Sequence, residues 1–212
     1  MNKEHTRELI EIAPILYAGR RKPITENLMA FGFECGDGWF YPLRELSENL
    51  EAINILLKKY RVKIEASQVK EKYGTLRFYT NIICELPFWK RLLNWILNPY
   101  IWYVTHPKSL LPGWWGFGES DEQLAISRFA FNISEKLIDD CEQKCMDYCE
   151  ECGTQFGNWN KEDKVETTGW IRIVCKECAE KNNWTYIPYC QDQADVPVKI
   201  PSEKTLQQKN QE

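Results

Sequence analysis

The sequence predicts an α+β fold: helices packed on a small antiparallel β-hairpin, with a compact cysteine-built module at the C-terminal end. Three observations carry that expectation. Apolar residues recur at helical spacing over 42–59 and again over 120–147. Between these stretches the period drops to two, over 61–83. Near the end stand two C-x-x-C pairs, Cys149/Cys152 and Cys175/Cys178, with 22 residues between them.

In chain order, residues 6–18 read as a short helix, with Thr6 as its N-cap, Leu9, Ile12, Ile15 and Leu16 on one side, and Pro14 as a weakness. A second short helix is expected over 24–31, and 33–40 is a turn-rich aromatic segment. Pro42 suits the first turn of the 42–59 helix. Leu43, Leu46, Leu50, Ile53 and Leu57 then fall on one stripe. Val62, Ile64 and Ala66 alternate with Arg61, Lys63 and Glu65, which gives hairpin strands at 61–70 and 75–83 with the turn near Gly74. The 42–59 helix is expected to pack on that hairpin, because two strands alone are marginal in water.

The 120–147 helix opens on Ser120 and Gln123, a capping-box pattern. Ile126, Ala130, Ile133, Leu137 and Cys141 form one stripe, and Leu124, Phe131, Ile138 and Cys145 a neighbouring one. Together they place this helix centrally in the core. It runs straight into Cys149. The expected organisation is a main domain over 1–147, with an aromatic insert at 84–119, a metal module over 148–190 and a poorly ordered polar tail over 191–212.

The four cysteines point to Zn²⁺. Thiolates bind zinc tetrahedrally at about 2.3 Å, and four protein ligands leave no position for a reacting water, which marks a structural site. Two residues between cysteines let one tight turn present two sulfurs. Gly153 after the first pair suits the positive φ of such a turn. The stretch from Trp170 to Val174 is strand-like, and 179–181 can begin a helix. With that helix the module is treble-clef-like; without it, a zinc ribbon. Four unrelated thiols, or two disulfides, is the plainer alternative.

Bulk composition narrows the class. The chain has 212 residues, 43% hydrophobic and 27% charged, as soluble globular proteins do. Its net charge of −4 gives no footprint for nucleic acid. Around the cysteines, acidic residues outnumber Lys161, Lys164, Arg172, Lys176 and Lys181. Nine cysteines behind a polar N-terminal stretch fit a reducing cytoplasm. Cys35, Cys84, Cys141, Cys145 and Cys190, outside the metal set, read mostly as small buried apolar residues.

Several segments taken together resemble a family of functionally unassigned bacteriophage and prophage proteins with a C-terminal zinc-binding module. They are Glu34-Cys35-Gly36-Asp37-Gly38-Trp39-Phe40, the stretch from Gln68 to Tyr79, Gly169-Trp170, and the two C-x-x-C pairs. The resemblance covers about two thirds of the chain. It implies a phage or prophage origin, hence the cytoplasm of a bacterial host, and the zinc module; it implies no activity. The chain departs from the family's pattern at 84–119, where the second strand is not followed directly by the helix to the first cysteine pair.

That insert holds five of the nine tryptophans: Trp89, Trp95, Trp102, Trp114 and Trp115. An extra layer of core, a protein-binding surface and a membrane-surface helix over 86–104 all fit its composition. A spanning helix does not, because the stretch carries charges, asparagines and an internal proline.

For function, the favoured expectation is a zinc-binding accessory protein working by protein–protein contact, with a host factor such as a defence component as partner and the insert's tryptophans as the contact surface. A nucleic-acid-binding zinc protein is one alternative. A small enzyme is the other, with its site near Cys35, where a glycine-rich turn would expose the sulfur, or among Glu65, Glu71 and Arg77 of the hairpin. For those three charges, cross-strand pairing is the simpler account. Only two histidines occur, and no phosphate-loop, nucleophile-elbow or H-E-x-x-H pattern does.

Overall fold

The period-two stretch folds as β2 (Val62–Lys72) and β3 (Thr75–Cys84), an antiparallel hairpin. Tyr73 and Gly74 close it, both with positive φ (53° and 72°), as a two-residue loop matched to strand twist requires. The computed structural model describes residues 1–85, 121–156 and 163–189. Residues 86–119 of the insert with its five tryptophans, the Ser120 cap, Cys190 and the 191–212 tail lie outside the described residues.

One bulge sets the inward face of β2. The register shifts between Ala66 and Gln68, so the buried set changes parity from Val62, Ile64 and Ala66 to Val69. A third strand that the sequence did not announce, β1 (Phe33–Glu34), joins β2 in parallel through Phe33–Val69 and Glu34–Lys70. The sheet is therefore three-stranded and mixed, in the order β1-β2-β3.

Helix α1 spans Lys3–Ile12 and is capped by Asn2, whose side chain accepts the His5 amide at 2.8 Å. It starts before Thr6 and stops short of 18. Ala13 precedes Pro14, and the residue before a proline is driven out of helical geometry; here it has φ −130° and ψ 63°. The helix expected over 24–31 is only a 3₁₀ turn at Leu28–Phe31. Asn27 accepts the Met29 amide at 2.8 Å, the local bond that competes with helix in such residues.

Helix α2 (Phe40–Leu57) buries Leu43, Leu46, Leu50 and Leu57. It also buries a polar row, Ser47, Glu51 and Asn54. Ser47 pairs with the Tyr17 hydroxyl at 2.7 Å, and Glu51 accepts the Ile15 and Leu16 amides, each at 3.0 Å. Asn54 reaches the edge of β2 that β1 leaves uncovered. It accepts from the Ile64 amide at 2.7 Å and donates to the Ile64 carbonyl at 2.9 Å, doing what a neighbouring strand would do. Asn54→Ala orphans both groups in a buried place, at about 1–3 kcal/mol each. A loss of roughly 3 kcal/mol is expected in urea denaturation; a loss under about 1 kcal/mol would show that the side chain does not hold this edge.

Helix α3 (Asp121–Cys145) packs on α2 and on both hairpin strands. Ala130, Ser134, Ile138, Cys141 and Cys145 are buried along it. Leu124 and Phe131 are 42% and 51% exposed, so the second expected stripe enters the core only through Ile138 and Cys145. The reason is geometric: one face of the helix meets α2 and the sheet, and these two residues point off it. Glu142 ties α3 to β3, accepting from Arg77 and from the Phe78 amide, each at 2.9 Å.

The C-terminal module has its own small core, in which Val165, Val174 and Ala179 lie with three of the cysteines. Strands β4 (Lys164–Thr167), β5 (Ile173–Cys175) and β6 (Tyr186–Pro188) form an antiparallel sheet in the order β5-β4-β6. Helix α4 (Lys176–Lys181) follows β5 directly. Among the described residues no helix is long and apolar enough to cross a membrane.

Candidate metal centre and adjoining cleft

Residues 149–153 turn tightly behind α3. The Gly153 amide donates to the Cys149 carbonyl at 2.9 Å, with Gly153 at φ 75°. This turn presents Cys149 and Cys152. The second pair sits where β5 gives way to α4, with Cys175 at the helix N-cap and Cys178 within its first turn. The four sulfurs all lie within 4.8 Å of one another. Cys152 and Cys175 are 3.8 Å apart, against a sulfur–sulfur edge of about 3.8 Å for a tetrahedron with 2.3 Å metal bonds. The geometry therefore fits a metal ion held by four thiolates.

Burial and hydrogen bonding act on these sulfurs in opposite directions. Cys149 Sγ accepts the Cys175 amide at 3.2 Å, the kind of outer hydrogen bond that orients a metal ligand. Burial pushes the Cys149 thiol up to about 12, despite amide hydrogen bonds that oppose it. Burial also raises Cys178. At Cys152 the burial effect is outweighed by hydrogen bonds from Thr154, and the thiol falls to about 7. A dication offsets the cost of ionising the buried thiols.

The module is seated on the main domain through glycines. The Gly38 amide donates to the Glu150 carbonyl at 2.8 Å. A methyl on Gly38 would overlap the Cys149 carbonyl oxygen and lie 2.5 Å from the Gly153 nitrogen, and one on Gly36 would lie 2.7 Å from Glu150 Cγ. At the hairpin turn, a methyl on Gly74 would meet Ile173 Cγ1 at 2.7 Å. Beside it Trp170 Nε1 donates to Glu71 at 2.8 Å. The segments singled out in the sequence for their resemblance thus converge on one junction.

A cleft of about 520 Å³ opens along that junction. Glu34, Cys35 and Asp37 form one wall, Lys70 and Glu71 of β2 a second. Glu150, Glu151, Trp170 and Arg172 of the module form the third. Glu150 is 1% exposed, and its Oε2 has no hydrogen-bond partner. Burial pushes its carboxyl up to about 7, against the pull of Arg172.

The structure corrects two sequence expectations about catalysis. The glycine-rich turn does not expose Cys35, which is 7% exposed; the turn faces the cysteine knuckle instead. Burial pushes the Cys35 thiol up to about 12, the opposite of an activated nucleophile. The hairpin charges do not converge, nor do they pair with one another across the strands. Glu65 is buried on Lys22 (2.5 Å) and Asn27 (3.2 Å), Glu71 bonds the Gly74 amide and Trp170, and Arg77 goes to Glu142.

The glycine seat and Glu150 went unread in the sequence. The alternating Gly36 and Gly38 ahead of Trp39 were the one visible signal, and they mark close backbone approach rather than a reactive turn. No protein-family model, curated protein or solved structure matches this chain.

Proposed function

We propose that the chain is a zinc-scaffolded accessory protein that acts by protein–protein contact, its four cysteines holding one structural Zn²⁺ in a treble-clef-like module. The observation that carries the reading is the closed set of four sulfurs, seated by glycines against the main domain. A centre with four protein ligands has no open position for chemistry. It fixes shape, and here the shape it fixes is the cleft at the junction. The knuckle, the β4–β5 hairpin and α4 starting at the second pair support treble clef over plain ribbon. Phage origin, the bacterial cytoplasm and a host defence factor as partner rest on the resemblance alone. Trp89, Trp95, Trp102, Trp114 and Trp115 stay the proposed contact surface on their composition.

The cleft itself favours a second reading, an enzyme, since polar groups converge there on a carboxyl shifted by burial. Cys35 would not be its nucleophile.

Pull-down from host lysate separates the surfaces. Wild type is expected to capture a defined partner, and deletion of 86–118 is expected to lose it with metal content unchanged. A capture profile that the deletion leaves identical would remove the insert as the contact surface.

A further inference from the structure

We propose that the junction cleft receives an arginine or lysine side chain presented by a protein partner, with the unpartnered carboxyl oxygen of Glu150 at its floor as the acceptor. The partner half of this rests on the accessory-protein reading; the cation half rests on the cleft alone.

The argument starts from charge. Five carboxylates line the cleft: Glu34, Asp37, Glu71, Glu150 and Glu151. The cations beside them are already engaged. Arg172 lies 3.5 Å from Glu151 and stacks on the Trp184 ring at 5.2 Å. The Met1 amino group donates to the Cys35 carbonyl at 2.5 Å, and Lys70 lies over the Tyr79 ring at 5.7 Å. Asp37 and Glu71 are likewise occupied, by Asn2 and His5 and by Gly74 and Trp170. Glu150 is different. It is almost fully buried, yet one carboxylate oxygen has no partner. Buried polar atoms left unpaired are costly and rare, so a donor arriving from outside gains what the fold leaves unmade.

The chemistry of that donor follows from the walls. Among the described residues no three of these carboxylates come within chelating distance of one another, which argues against a second metal ion. Trp170 is 71% exposed with its N–H held by Glu71, so its ring is free to cover a cation. That same exposure leaves the cleft open on the Trp170 side. Small-molecule sites enclose most of their ligand; an open acidic cleft with one deep anchor suits a side chain that another surface presents.

The test uses the full-length, zinc-loaded protein and a capped Gly-Gly-Arg-Gly-Gly peptide, followed by the Trp170 indole N–H signal in NMR. A saturable shift is expected, at least tenfold weaker for the citrulline peptide, which keeps the shape and drops the charge. Glu150→Gln is expected to weaken the arginine peptide at least tenfold while retaining one equivalent of zinc. If that variant loses zinc, Glu34→Gln, outside the module, takes its place with an expected weakening of at least threefold. Equal binding of the citrulline peptide, or undiminished binding by the zinc-retaining variant, overturns the cation site. Agmatine, a guanidinium without the peptide, is expected to bind more weakly; tighter binding overturns the protein-partner assignment and leaves the zinc scaffold untouched, since metal content is read separately.

Discussion

Gly38→Ala is expected to unseat the cysteine module from the main domain. The added methyl would overlap the Cys149 carbonyl oxygen and press within 2.5 Å of the Gly153 nitrogen. Both obstacles are backbone atoms of a turn that is itself pinned by the cysteines, so neither can swing aside as a side chain would. The Gly38–Glu150 hydrogen bond of 2.8 Å is lost as the chains part. Overpacking costs about 1–3 kcal/mol where side chains can adjust, and occasionally more; against fixed backbone the upper end is expected, about 3 kcal/mol. For a chain of this size that is a fall in Tm of roughly 6–12 °C. Gly32→Ala is the control. Open space surrounds it, but at φ 80° and ψ −150° it holds a backbone conformation that is essentially glycine's alone, so alanine there costs about 1–3 kcal/mol in backbone strain while leaving the seat of the module untouched. A Gly38→Ala protein within about 1 kcal/mol of wild type would show that the knuckle is not seated on this glycine.

Cys149→Ser is expected to remove the metal and with it the fold of the module. Cys149 is fully buried, and its sulfur accepts the Cys175 amide, so it links the two cysteine pairs as well as being one of the four proposed ligands. Structural zinc contributes about 10–16 kcal/mol of apparent binding free energy in small zinc-dependent domains, and there that energy is folding energy. The module's core is small, chiefly Val165, Val174 and Ala179 beside the cysteines, and has little else to rely on. Hydrogen exchange should become fast over 163–189 while β2 and β3 keep their protection. Metal content should fall from one equivalent to none. A chelator on wild type should give the same pattern, and so should acid. Ligand sulfurs must be deprotonated to bind, so the metal-linked stability is present at neutral pH and lost as pH falls through the range where protons displace zinc. A serine variant that retains a full equivalent of metal, or that exchanges like wild type, would refute the structural-zinc assignment.

Elements with a local signal were legible in the chain. Leu43, Leu46, Leu50 and Leu57 located α2 through their spacing, and Val62, Ile64 and Ala66 located β2 in the same way. The cysteine set was legible because two residues between cysteines let one tight turn present both sulfurs. End positions were less so: Asn2 rather than Thr6 caps α1, because competing caps differ by small local energies, and Ala13 ends it, because Pro14 follows. Ser47, Glu51 and Asn54 carry no signal in the apolar spacing of α2, yet all three are buried. A polar residue looks solvent-facing until the backbone groups that it satisfies, at Leu16 and Ile64, are brought to it by the fold.

The sequence by itself determined the four clustered cysteines, the hairpin with its turn near Gly74, and the two long helices, since each is written in spacing over a few consecutive residues. Only the tertiary structure decided that β1 joins β2 in parallel, that Gly36 and Gly38 are a seat for residues 149–153, and that one carboxyl oxygen of Glu150 is left without a partner at the floor of a cleft. Those features pair residues more than a hundred positions apart or, for β1, a strand of two residues. No periodicity connects such partners; packing does, by leaving space for a glycine and no side chain within reach of one buried carboxylate oxygen.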